Sequence, residues 1–235
     1  MPDEVEAFRR ARQGVLERIA AACARAGRDP GDVTLVAVSK THSPRRVQAA
    51  IDAGLTVLGE SRVQEAVEKV ATTDGGTWHL IGPLQANKAR KAVEAVDVIQ
   101  SADSVELARR LDRIAGEVRP GERYPVLLQV NVADDPAKAG FGPEAVSGAV
   151  AELLDLAHLR VDGLMTIGRL VDSAEAARPT FEALRELSAR LRAANPGLGG
   201  ALSMGMTDDF EVAVEEGATL VRVGRALFGA RPAEG

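Results

Sequence analysis

Eight short runs rich in β-branched residues, at about 33–39, 55–58, 77–81, 97–100, 125–132, 159–166, 199–203 and 219–223, alternate without interruption with Ala/Glu/Arg-rich stretches of helical character. Unbroken strand–helix alternation implies parallel strands joined by crossover helices. Eight such units in 235 residues fit a closed (β/α)8 barrel. The rival is an open doubly wound sheet, which usually carries a Gly-rich first turn. Here the first strand runs into Val38-Ser-Lys-Thr-His-Ser-Pro44 with no glycine. Ahead of the barrel, Val5, Phe8, Val15, Leu16 and Ile19 recur at helical spacing and Gly27 closes the stretch, which predicts an amphipathic helix over about 4–26. The expected fold is α/β: a single barrel domain over 1–235, with the (β/α)8 TIM barrel itself over about 33–230 and an additional N-terminal helix. No low-complexity linker interrupts it, and no second domain is expected after residue 229.

Composition narrows the classes of function. A formal charge of −5, with 29 basic residues scattered among 34 acidic ones, offers no positive field for nucleic acid. The single cysteine, Cys23, cannot form an internal disulfide, and three scattered histidines without a Cys/His cluster disfavour a structural zinc site. The first ten residues lack an apolar signal core, and no later run reaches membrane-spanning length. The expectation is a cytoplasmic protein with no membrane partner. With no apolar arm outside the barrel, a monomer is expected, although the leading helix could pair two chains.

In such a barrel the strand C-termini and their loops form the active face, and phosphate groups commonly bind after strands seven and eight. Lys40 ends the first strand. Period-two alternation puts Val36, Val38 and Lys40 on one side of strand one, and Leu220, Arg222 and Gly224 on one side of strand eight. If those sides face inward, Lys40 and Arg222 converge across the barrel top, opposite one another. A desolvated lysine beside a second cation loses part of its preference for the charged form, so its amine becomes free to attack a carbonyl. The plain alternatives are a solvated strand-end lysine and a barrel arginine paired with a neighbouring carboxylate.

Two glycine-containing turns, Leu202-Ser-Met-Gly-Met-Thr207 and Val221-Arg-Val-Gly-Arg225, join strands to helix starts where backbone N–H groups can cradle a phosphate. Ser203 and Thr207 offer hydroxyls, Gly224 allows close backbone approach, and Arg225 adds charge if it turns inward. Thr207 reads equally as a helix N-cap before Asp208 and Asp209. His79 reads as a core histidine, and Asn87 with Lys88 as a helix start. Lys138, after strand five, is either an exposed loop lysine or a second amine for an aldehyde. A lysine with a phosphate cradle points to an aldehyde cofactor that carries a phosphate.

Several ordered motifs then carry a resemblance: Ala37-Val-Ser-Lys40, Gly59-Glu-Ser-Arg-Val-Gln-Glu65, Trp78 to Lys88, Gly163-Leu-Met-Thr166, Leu202 to Asp209, Val221-Arg-Val-Gly224 and Phe228-Gly-Ala-Arg231. Each is weak alone, but the series is specific. The chain resembles the pyridoxal phosphate homeostasis protein family, whose fold is that of the alanine racemase barrel domain, the fold-type III barrel that binds pyridoxal 5′-phosphate (PLP). The resemblance implies an aldimine between PLP and Lys40, Arg222 at the pyridine nitrogen, and phosphate held by the loops of strands seven and eight. It departs at Ser61, where the family commonly has asparagine, and at Arg225, where many members have threonine or serine.

Three functions compete on these residues. A PLP-dependent racemase needs a base on each cofactor face. Lys40 supplies one, but the only tyrosine, Tyr124, precedes strand five at the opposite end of the barrel. A cofactor-free Schiff-base aldolase typically carries its lysine on a late strand. A PLP carrier that supplies apo-enzymes needs only Lys40, the phosphate site and an open mouth, so a homeostasis protein without efficient catalysis is the expected reading.

Overall fold

A computed structural model describes residues 2–168 and 171–229. The strands are β1 (Thr34–Val38), β2 (Val57–Glu60), β3 (Thr77–Leu80), β4 (Val98–Ala102), β5 (Tyr124–Gln129), β6 (Leu159–Met165), β7 (Ala201–Met206) and β8 (Leu220–Val223). They pair in parallel in chain order, and β1 pairs with β8 through Thr34–Leu220, Leu35–Val221, Val36–Arg222 and Ala37–Val223, which closes the barrel. All eight expected strands are present. β7 reaches Met206 rather than stopping near residue 203, so the first glycine turn begins later than the pattern suggested.

The helices α2 (Pro44–Asp52), α3 (Val63–Thr72), α4 (Ala89–Ala95), α5 (Val105–Val118), α6 (Pro143–Leu154), α7 (Arg178–Ala194), α8 (Phe210–Glu215) and α9 (Arg225–Phe228) follow the strands in order. Outward strand residues such as Ala37, Leu58, Ile99, Leu128, Leu164, Val221 and Val223 join the helices in the main hydrophobic core. Val36 and Val38 are buried yet lie outside that cluster, as inward-facing residues should.

The leading helix, α1 (Pro2–Ala26), starts with Asp3 and Glu4 and ends with Arg25, in keeping with the helix dipole. Gly27 at φ +64° ends it, with Arg28 N donating to Cys23 O at 2.9 Å, a Schellman closure. The helix covers the seam between the first and last units. Its buried Phe8, Val15, Ile19 and Cys23 face the core, and Phe8 meets Phe228 edge-on at 5.1 Å between ring centroids. Arg18 forks onto Glu211 at 3.0 and 2.9 Å, and Arg25 reaches Glu215 at 2.7 Å. Ala230 and Arg231, which end the last motif, lie outside the described residues. Among the described residues, no helix is long and apolar enough to cross a membrane, and no group of three or more His, Cys, Asp or Glu could hold a metal ion.

Candidate functional site

Arg222 projects from β8 into the barrel interior and is 4% exposed. Its Nη1 donates to Ser203 Oγ on β7 at 2.7 Å and its Nη2 to the Thr166 carbonyl after β6 at 2.8 Å. The Thr166 hydroxyl is itself bonded to Val130 O at 2.7 Å. The carboxylate partner that a structural reading would require is missing: among the described residues Arg222 makes no ion pair. Burial draws its pKa down to about 10, which Asp209 partly offsets, so the guanidinium stays charged at neutral pH. A buried cation held by two neutral oxygens retains electrostatic capacity for an incoming acceptor.

The row continues across the interior. Ser203 Oγ donates to Gln100 Oε1 at 2.6 Å, and Gln100 Nε2 lies 2.7 Å from His79 Nδ1. With Gln100 Oε1 accepting from Ser203, its amide nitrogen must donate, and His79 Nδ1 must accept. That role needs a neutral imidazole. Burial provides one, pushing the His79 pKa down to about 4. Arg222, Ser203, Gln100 and His79 thus form a single-direction row of donors from β8 through β7 and β4 to β3. Room for this interior comes partly from Gly59 on β2, where a Cβ would stand 2.9 Å from Val36 Cγ1 and 3.2 Å from Ile81 Cδ1.

Lys40 lies just past the end of β1, half-buried, on the strand adjacent to Arg222 rather than opposite it. Ser39 is fully buried, and its N–H donates to Gly59 O at 3.1 Å, which continues the β1–β2 ladder. Thr41 holds φ +69°. The expectation that Lys40 and Arg222 face each other across the barrel is corrected: Arg222 lies level with Val36 on the neighbouring strand, and Lys40 follows four residues further along the chain.

At the phosphate cradle the structure redistributes the expected roles. Thr207 is not a helix cap: α8 begins at Phe210, and Thr207 Oγ1 instead accepts from Gly224 N at 3.2 Å, tying the β7 loop to the β8 loop. Gly205, at φ +87°, lets α8 approach, since a Cβ there would meet Ala213 Cβ at 2.5 Å and Phe210 Cα at 2.9 Å. The first intrahelical bond of α9 runs from Leu227 N to Gly224 O at 2.9 Å, so the Arg225 and Ala226 N–H groups precede it. Ser203 lies fully buried below the rim with its hydroxyl engaged on both sides, by Arg222 and by Gln100. The Arg225 side chain pairs with Asp208 in solvent and does not turn inward. Ser61 is half-buried just past β2, and its hydroxyl has no hydrogen-bond partner among the described residues.

Other sequence candidates find plain roles. Lys138 Nζ binds Ile167 O at 3.2 Å and also Gly168 O, stapling the β5 loop to the β6 loop. Asn87 is exposed in the 3-10 turn Ala86–Lys88 and caps nothing. Tyr124 OH donates to Val96 O at 2.8 Å, before β4 and at the end of the barrel away from Lys40. Gln100 and Thr166 were not singled out from the sequence as partners of the site. A glutamine inside a strand whose alternation points it inward was the available signal.

The sequence matches the family described as "Alanine racemase, N-terminal domain" over residues 15–232. The pyridoxal phosphate homeostasis protein of Pseudomonas aeruginosa is 43% identical over 221 residues, covering 92% of this chain and 93% of its own length. The solved structure of PipY from Synechococcus elongatus PCC7942 with PLP bound has a TM-score of 0.80 at 42% identity, covering 92% of this chain and all of that one. Alanine racemase of Clostridium difficile 630 shares the fold, with a TM-score of 0.71 at 17% identity, across 93% of this chain and 55% of that one. Fold and sequence similarity converge: this chain belongs to the pyridoxal phosphate homeostasis protein family, built on the alanine racemase N-terminal domain.

Proposed function

We propose that this protein holds PLP at the barrel mouth, covalently on Lys40, and acts in intracellular PLP homeostasis and supply without efficient catalysis of its own. The observation that carries the reading is Arg222: a buried guanidinium without an ion pair among the described residues, locked by Ser203 and Thr166 on the strand next to Lys40. Its geometry suits an acceptor such as a pyridine nitrogen. The Arg225 and Ala226 N–H groups, with the loop fixed by Thr207, suit the phosphate. Ser61 stands at the rim as a contact for the ring.

Bound PLP supplies a reactive aldehyde. Lys40 Nζ would be the amine that holds it covalently, with release of one water. Arg222 keeps its own proton at neutral pH, so a pyridine nitrogen held there would accept a hydrogen bond without receiving a proton, and the ring would be a weaker electron sink. The racemase reading finds no second base in Tyr124, whose hydroxyl is bound to Val96 O at the far end. We further propose a cytoplasmic monomer that passes PLP to apo-enzymes.

The test is borohydride reduction of protein incubated with PLP, followed by peptide mapping. The added mass should fall on Lys40 and vanish in Lys40→Ala. A protein that acquires neither a visible absorption band nor mass at Lys40 overturns the proposal.

A further inference from the structure

Behind Lys40, on the outer side of β1 and β2, lies a buried charged cluster that the cofactor site does not use. Lys69 of α3 is 3% exposed, and Glu60, at the end of β2, is fully buried. Lys69 Nζ donates to Glu60 Oε1 at 2.6 Å and to the Ser39 carbonyl at 2.8 Å, and lies 3.6 Å from Glu65 Oε2. Glu60 Oε1 also accepts from Ser39 Oγ at 2.6 Å, while Glu65 Oε2 accepts from Thr41 N at 2.9 Å. The residues on both sides of Lys40 are therefore gripped by one cluster. Ser39 is held through its hydroxyl and its carbonyl, and Thr41 through its N–H.

Burying this cluster is costly, since two ions leave water and Glu60 Oε2 has no hydrogen-bond partner among the described residues. Burial pushes the Glu60 carboxyl up against the pull of Lys69 and Ser39. An apolar contact between α3 and the strands would pack this wall at lower cost. What the ion pair adds is direction: a rigid ammonium aimed at one main-chain carbonyl. It also holds Thr41 in the left-handed region, a conformation that costs a β-branched residue free energy and relaxes unless its surroundings fix it. Ser39, turned outward into the cluster, and Thr41 thus fix the main chain on either side of Lys40.

We propose that Lys69 is a positioning residue for Lys40, an ammonium cross-link that, with Glu60 and Glu65, fixes the backbone on both sides of the amine and so presents Nζ to the aldehyde. This rests on the reading that Lys40 is the attachment point. The cluster touches neither phosphate donors nor Arg222, so its contribution is specific to the covalent step.

The test compares PLP with pyridoxamine 5′-phosphate, which lacks the aldehyde and cannot attach to Lys40. The variant Glu60→Gln/Lys69→Met removes both charges together and so avoids stranding either ion. It should attach PLP about tenfold or more slowly in stopped-flow absorbance, the scale expected when a reacting group is slightly misplaced. Its affinity for pyridoxamine 5′-phosphate, by calorimetry, should match the wild type. Unchanged PLP attachment overturns the proposal. So does parallel loss of both ligands, which marks the cluster as structural only. If the double variant does not fold, Ser39→Ala, which removes one bond of the grip, is read by the same two ligands and the same criteria. A wild-type chain that binds both ligands non-covalently defeats the attachment reading, and this inference with it.

Discussion

Arg222 Nη1 and Ser203 Oγ are 2.7 Å apart inside the barrel, and the serine hydroxyl passes its own proton on to Gln100. The guanidinium that faces the mouth is therefore oriented from below. Ser203→Ala leaves a buried donor of Arg222 and the oxygen of Gln100 without partners. It should lower unfolding free energy by about 1–3 kcal/mol and weaken PLP binding, as followed by urea denaturation and cofactor titration. Ser203→Thr, which keeps the hydroxyl, should recover most of the binding.

The phosphate cradle is predicted to work through backbone, not side-chain charge. Arg225→Ala removes only an exposed pair with Asp208, so PLP affinity should hold and stability should move by no more than about 1 kcal/mol. Ala226→Pro deletes one N–H that precedes the first helical bond and so leaves α9 intact. Loss of one charge-assisted hydrogen bond should weaken PLP about ten- to a hundredfold. Retained affinity in Ala226→Pro alongside lost affinity in Arg225→Ala would reverse this assignment.

His79 sets a pH limit. Its pKa falls from the ordinary 6.5 to about 4 on folding, so the unfolded chain binds the extra proton first as pH drops. The stability it contributes is complete above pH 6.5 and is lost as pH falls from there through about 4. The linkage is worth up to about 3 kcal/mol. His79→Gln keeps an acceptor for Gln100 but does not titrate, and its denaturation midpoint should vary less with pH across that window.

Tyr124 separates stability from binding. Tyr124→Phe leaves the Val96 carbonyl without its 2.8 Å hydrogen bond at the closed end of the barrel. The expected cost is about 1 kcal/mol, with PLP affinity equal to that of the wild type. A variant with altered cofactor affinity would show that the two ends of the barrel communicate.

The parts of the site that follow from alternation were legible in the sequence. Arg222 lies two residues beyond Leu220 on β8, so its strand and inward face were predictable from period two, whereas Lys40 lies just past β1, where strand alternation ends. What periodicity could not supply was the partner of each side chain. Ser203 meets Gln100 across 103 positions of sequence, and only the closed barrel brings them together. Thr207 was readable as a cap because a cap needs only local residue types, yet its hydroxyl serves Gly224 in the next loop. Lys69 lay in a Glu-rich helix where a lysine reads as solvated. The one local hint was the Glu65–Lys69 pair at i,i+4 spacing, which also suits an exposed helix face.

The coverage of the barrel seam by α1 has a consequence for how this chain reaches its native state. Arg18 finds Glu211 across 193 residues, and Phe8 packs on Phe228. The apolar stripe of α1 is therefore synthesised ahead of the barrel units and covered last, after nearly every one of them has left the ribosome. Its burial carries one of the largest loop-closure costs in the chain and comes only when β8 docks against β1. Until then that stripe is open to non-native contacts, and a chaperone or a well-timed pause in translation protects it best at that stage.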